Sequence, residues 1–211
     1  MKNLLIIGAR GWGREIYGML PDCIGYGTEF IVKGFLDDKE DALDGKPGYP
    51  SIVDSVENYR IETDDVFVCA LGDVRYRKYY SELILDKGGH FINIVHNTAT
   101  MGPNSTIGKG CVVFDHVAIS CDIRIGDFVA LQSYAIVGHD CQINHYSHLG
   151  TRSFMGGYSK VGSLSTLQTN SVLLPHVIVG NECQVGAGAV VIKKVKDGDT
   201  VYGNPAKVLK I

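Results

Sequence analysis

Two adjacent residues, His139 and Asp140, carry the most readily recognised chemistry in this sequence. An imidazole titrates near neutral pH and is the natural general base for an attacking amine or hydroxyl. A carboxylate beside it can orient the ring and steady its charged form. Further histidines stand at 90, 96, 116, 145, 148 and 176, so a zinc site made of imidazoles is the chemical rival to a lone base. A second group lies near the N-terminus, where Gly8-Ala9-Arg10-Gly11-Trp12-Gly13 follows the apolar run Leu4 to Ile7. Glycines there let backbone N–H groups approach a phosphate at a helix N-terminus, where the helix dipole favours negative charge. Arg10 offers a charge-assisted contact to that phosphate. Asp37 and Asp38 end the next apolar run, placed to accept hydrogen bonds from ribose hydroxyls or a base, and Gly72 ends a third.

The elements that must hold these residues differ between the two halves of the chain. From Val95 to Val191 an aliphatic residue recurs at every sixth position, as in Val137, Ile143, Leu149, Met155 and Val161. Four residues after each comes a smaller one, as in Cys141, Ser147, Ser153, Ser159 and Ser165. Neither a helix nor an alternating strand has a period of six. A triangular coil does: each hexad supplies a short strand and a corner, three hexads close a turn, and stacked turns bury a continuous core. The glycine that often follows the aliphatic residue, as in Ile125-Gly126, is expected to permit the sharp bend. His139 and Asp140 then occupy a corner, where no packing need explains them. His139 and His145 fall on successive corners and do not stack.

Residues 1–92 read as a separate α/β unit. Leu4 to Ile7, the glycine turn, a helix from Arg14 to Leu20, a strand from Phe30 to Leu36 and its terminal acids follow the order of a Rossmann-like βαβ unit. A strand from Val66 to Leu71 and a helix from Arg75 to Lys87 continue it, and Phe91-Ile92 starts the strand that feeds the coil. An NAD-dependent oxidoreductase is disfavoured because the hexads take over by residue 95, leaving no second half for a nicotinamide.

The hexads, with the closing segment Gly203-Asn204-Pro205-Ala206-Lys207-Val208, resemble the hexapeptide-repeat acyltransferases, which form left-handed parallel β-helices and assemble as homotrimers. Joined to the βαβ unit, they resemble the NeuD-like sugar acyltransferase family, which includes bacterial UDP-amino-sugar N-acetyltransferases, across essentially the whole chain. The resemblance implies an α/β Rossmann-like domain at 1–92 that binds a nucleotide-sugar and an all-β left-handed β-helix at 93–211. In that family the glycine turn and an F-L-D-D strand end hold the substrate, here Gly8 to Gly13 and Phe35-Leu36-Asp37-Asp38. Arg10 and Trp12 replace the family's serine and histidine. An H-E pair stands where this chain has His139-Asp140, and His148 matches a histidine that contacts the acetyl group. His148 lies half a coil from His139, so the two meet only across a subunit interface. Gly157, Thr169, Gly186, Ala187 and Gly188 would line the path of acetyl-CoA, small residues leaving room for a thin chain and N–H groups for its amides.

The expected activity is therefore acetyl transfer from acetyl-CoA, a co-substrate, to the amino group of a nucleotide-linked sugar. O-acetylation, a metal-dependent enzyme like the β-helical carbonic anhydrases and a non-catalytic binding protein are the alternatives; no metal is expected. A net charge of −3 gives no reason to expect nucleic acid or an anionic membrane as partner. The six cysteines include no CxxC pair and read as thiols, and the short N-terminal apolar run is no signal peptide, so the cytoplasm is the expected location.

Overall fold

Leu4, Leu5 and Ile6 are wholly buried because strand β1 (Lys2–Ile7) is an inner strand of a parallel sheet, covered on both faces. The computed structural model describes residues 1–209, and the chain divides into two units, Met1–His96 and Asn97–Ile211. In the first unit β1 lies between β2 (Phe30–Leu36) and β4 (Asp65–Cys69), with β3 (Ile52–Asp54) beyond β2, all parallel. Helix α1 (Gly11–Met19) follows β1 and α2 (Val74–Asp86) follows β4. The second strand spans the residues expected for it. Helix α1 begins earlier than its apolar pattern indicates, so Gly11, Trp12 and Gly13 form its first turn. Edge strand β3 is too short to leave a periodic trace in the sequence, and Phe91 makes only an isolated bridge, to Phe67.

An ionic cluster ties β2 to the start of β4. Lys33 Nζ donates to Tyr59 Oη at 2.7 Å, Glu62 Oε2 at 2.8 Å and Asp65 Oδ1 at 2.9 Å, while Tyr59 Oη donates to Asp65 Oδ2 at 2.6 Å. Burial alone would raise the Asp65 carboxyl, but hydrogen bonds from Tyr59, the Glu62 N–H and Lys33 outweigh it and hold the group below the usual carboxylate range. Burial and the neighbouring carboxylate push the Tyr59 phenol up to about 12.

The second unit is the coil that the period of six requires. Two-residue strands such as Ile136–Val137, Gln142–Ile143 and His148–Leu149 end on the aliphatic residue, which points inward and is buried. Each strand pairs in parallel with those 18 residues before and after, Ala130 with His148 and His148 with Thr166. Three faces result. The first carries Ala130–Leu131 and His148–Leu149, the second Ile136–Val137 and Phe154–Met155, and the third Gln142–Ile143 and Lys160–Val161.

In several hexads the smaller buried residue bonds to the neighbouring coil. Ser147 Oγ donates to the Gly162 carbonyl and Ser165 Oγ to that of Gly180, both at 2.7 Å. Cys141 Sγ makes the equivalent contact to the Gly156 carbonyl at 3.2 Å. All six cysteines are free thiols, and burial raises those of Cys141 and Cys183. A thiol and a hydroxyl are interchangeable here because both are small and both donate.

The corners correct the sequence expectation for glycine. The left-handed residue of each corner lies three positions after the aliphatic one, and the series Asn104, His116, Asp122, Phe128, Tyr134 and Asp140 continues to Glu182 with φ near +60°. The glycines directly after the aliphatic residues serve close stacking instead. A Cβ on Gly126 would lie 2.8 Å from the His145 backbone N, and one on Gly138 2.7 Å from the Met155 carbonyl O. A non-glycine left-handed residue costs about 1–2 kcal/mol, and ladders of corner side chains work against that cost. Phe128 stacks on Tyr146 at 4.9 Å and His116 on Tyr134 at 4.8 Å.

Candidate active site

His139 stands at the corner where the second and third faces meet. The left-handed conformation of Asp140, φ 58°, turns its carboxylate back onto the ring, and His139 Nδ1 lies 2.9 Å from Asp140 Oδ2. An ionised carboxylate only accepts, so Nδ1 carries the proton of the neutral ring and Nε2 is left with its lone pair. The ring is half-exposed. Gly157, directly above in the next coil, makes room for it: a Cβ there would stand 2.6 Å from Nε2 and 2.7 Å from Cε1. Tyr158 meets the imidazole edge-on, with centroids 5.2 Å apart and planes at 89°.

The other exposed histidine–aspartate pair is wired oppositely. His145 Nδ1 accepts the Asp127 backbone N–H at 2.9 Å, so its lone pair is spent on holding two coils together. Among the described residues no group of three His, Cys, Asp or Glu side chains converges to hold a metal ion.

The remaining expected site residues of the coil lie elsewhere. His148 is on the outer side of the first face, opposite the His139 corner, between Ala130 and Thr166. It is only 8% exposed, although its register points it away from the core. Thr169 and Gly186 to Gly188 form successive turns at the corner between the first and second faces, with Gly188 N–H donating to the Thr169 carbonyl at 2.9 Å. Gly186 N–H is likewise given to the Val201 carbonyl, so these two glycines have no amide hydrogen to offer pantetheine. Gly186 instead accommodates the ring of Tyr202, into which a Cβ would run. The N–H groups of Thr169 and Ala187 take no part in the coil-to-coil ladder.

In the first unit a cavity of about 500 Å³ opens at the C-terminal ends of β1, β2 and β4, the usual ligand position in an open parallel sheet. Gly8, Arg10, Asp37, Asp38 and Gly72 all line it. Helix α1 has no side-chain cap and no acid in its first turn, which suits its N-terminus to an anion. The two aspartates have different tasks. Asp37 is buried and accepts the Ala9 N–H at 2.8 Å and the Lys39 N–H at 3.0 Å, locking the glycine turn to the end of β2. Asp38 is exposed to the cavity.

Gly11, Trp12 and Gly13 shape the turn without lining that cavity. A Cβ on Gly13 would collide with the Gly8 carbonyl oxygen. The Trp12 ring packs over the buried guanidinium of Arg77 at 5.7 Å, and Arg77 Nη1 donates to the Leu71 carbonyl at 3.1 Å. Among the wall residues that escaped the sequence reading are two tyrosines, Tyr76 and Tyr80. Their spacing of four on a helix after Gly72-Asp73 was the available signal. Burial, with Asp38, Glu57 and Asp37 nearby, raises the Tyr80 phenol and keeps it protonated.

A β-helix of hexads with an imidazole–carboxylate corner, preceded by a parallel sheet with a cavity at its C-terminal ends, defines a class of enzyme, the acetyl-CoA-dependent acetyltransferases. Residues 3–84 match the family described as the PglD N-terminal domain. Across 97% of its length the chain is 30% identical to the GDP-perosamine N-acetyltransferase of Escherichia coli O157:H7, covering 95% of that protein. The acetyltransferase domain of PglB from Neisseria gonorrhoeae FA1090 superimposes with a TM-score of 0.90 at 28% identity, over 99% of this chain and 100% of that one. PerB from Caulobacter crescentus, solved with CoA and GDP-perosamine, gives 0.88 at 28% identity over 100% and 98%. The chain belongs to the NeuD-like family of sugar acyltransferases, and its coil is that family's left-handed parallel β-helix.

Proposed function

We propose that the protein moves the acetyl group of acetyl-CoA onto the amino group of a nucleotide-linked amino sugar, with His139 as general base. One observation carries the assignment of the base: Nδ1 is tied to Asp140 while Nε2, free to accept, stands over Gly157. The amine nitrogen attacks the thioester carbon, and His139 Nε2 takes the proton it sheds. The C–S bond then breaks, and CoA leaves as a thiolate that takes the proton back from the imidazolium. A donor for the transient oxyanion is at hand in the Gly157 N–H, beside the base. The buried cysteines are held protonated by their surroundings, which favours direct attack over an acyl-enzyme. The cavity of the first unit would take the nucleotide, with its phosphates on Arg10 and the start of α1 and the nucleoside against Asp38 and Tyr80.

The working form would be a homotrimer. Its support is the outer side of the second face, an unbroken apolar column of Ala118, Ile136, Phe154, Val172 and Val190. Ile136 is 45% and Phe154 38% exposed, so apolar side chains stand open along one strip. The column runs between the His139 corner and the Thr169–Ala187 corner, so a neighbour packed along it would complete a groove for acetyl-CoA. His148 would come from that neighbour. The free thiols fit a reducing cytoplasm.

Thiol release from acetyl-CoA should be assayed against GDP- and UDP-linked amino sugars and their hydroxy analogues. Turnover with an amino sugar is expected, and His139→Ala should lower it by about 10²–10⁴-fold. An unchanged rate removes His139 from the mechanism, and preference for a hydroxyl acceptor replaces N- by O-transfer. Mixing His139→Ala and His148→Ala chains tests the shared site: activity returns only if the two residues act across an interface.

A further inference from the structure

Tyr158 is a neighbour of the base to which the proposed reaction assigns no task. It occupies the left-handed corner position one coil beyond Asp140, with φ 62°, and the residue is 48% exposed. Its ring is perpendicular to that of His139, at 89° and 5.2 Å. It is parallel to that of His176, the equivalent corner residue of the following coil, at 0° and 5.0 Å. The phenol therefore lies between the two histidines along the stack. An aromatic face is negative and an edge positive, which makes the perpendicular pairing attractive. The equivalent corner positions in the preceding coils hold Asn104 and Asp122, which present no ring, so the coil itself does not require an aromatic residue there.

We propose that Tyr158 is a positioning residue for the acetyl transfer. Its ring, kept parallel to that of His176, seats the His139 imidazole at the angle that leaves Nδ1 on Asp140 and Nε2 over Gly157. The proposal rests on His139 being the base.

The test compares Tyr158→Phe, which keeps the ring, with Tyr158→Leu, which fills a similar volume without one. Tyr158→Phe should stay within about twofold of the parent in kcat, and Tyr158→Leu should lose about tenfold or more. KM for acetyl-CoA should hold within about twofold in both, because a group that acts only on the base does not alter ground-state binding. Parent-like kcat in Tyr158→Leu overturns the proposal. So does an equal loss in Tyr158→Phe, which would assign the role to the hydroxyl, or a rise in KM alone, which would make Tyr158 a substrate contact. A second readout needs no turnover. The His139 ring protons, identified by their absence in His139→Asn, should resonate at the same place in the parent and Tyr158→Phe and move in Tyr158→Leu, which lacks the ring current. If the parent transfers no acetyl group, the reading of function fails while this readout still decides whether Tyr158 seats the ring; no difference among the three proteins overturns it.

Discussion

A single methyl group added at Gly157 separates catalytic geometry from folding. Its Cβ would stand 2.6 Å from His139 Nε2 and 2.7 Å from Cε1, whereas non-bonded heavy atoms settle at about 3.5–4.0 Å. The imidazole has to retreat by about 1 Å. Nothing else has to move, because the nearest atoms belong to the far end of a half-exposed side chain and Gly157 is outside the left-handed region. Gly157→Ala should therefore melt within about 2 °C of the parent, a change of well under 1 kcal/mol. Misplacing a catalytic group by that distance costs about 10²-fold in rate. The assay is thiol release from acetyl-CoA at saturating amino sugar, and the loss should appear in kcat. Gly126→Ala is the matched control. Its Cβ would meet the His145 backbone N at 2.8 Å, which cannot swing aside, so it should cost about 1–3 kcal/mol of stability and leave kcat per folded molecule intact. A fully active Gly157→Ala enzyme would refute the reasoning, as would equal destabilisation of both variants.

Arg10→Ala should raise KM for the nucleotide-sugar by about 10- to 100-fold, the worth of a hydrogen bond to a charged group, with kcat unchanged; a fall in kcat alone would place Arg10 elsewhere. Asp65→Ala should destabilise the protein in urea by about 1–3 kcal/mol, because the Tyr59 hydroxyl and the Glu62 N–H lose their acceptor while Lys33 keeps only Glu62 and Tyr59. The folded Asp65 carboxyl is held low, so its contribution is complete above about pH 4 and disappears as the pH falls through the lowered value. An acid unfolding curve that is the same in Asp65→Asn would contradict this. Ser165→Ala leaves the Cys183 N–H and the Gly180 carbonyl without the hydroxyl that joins them, and should lower stability in the same urea titration by about 1–3 kcal/mol.

The coil was legible because its contacts repeat. Leu149 and Ser147 are buried for the same reason as Val137 and Ala135, and a period of six exposes that reason without any structure. The His139–Asp140 pair was legible because its partners are adjacent in the chain. What escaped depends on residues one coil apart, such as the close approach of Gly157 to the imidazole and the ring of Tyr158 beside it. Spacing identifies such residues as neighbours but not how their rings are turned. The bend was assigned to the wrong position because glycine signals both left-handed backbone and close approach. Gly110 and Gly188, in register with Asn104 and Asp140, held the correct answer. In the first unit nothing repeats, so the Lys33–Tyr59–Asp65 cluster joins residues whose sequence separation carries no clue.

Left-handed corners recurring at every sixth residue limit how this enzyme can change length. A deletion of one residue in a strand would turn every later aliphatic side chain outward and strip the core from there to the end. Removing or adding a whole 18-residue turn leaves the ladder partners of the remaining strands matched, since each turn touches only its neighbours. Longer and shorter relatives should therefore differ by complete turns or by loops grown out of the corners.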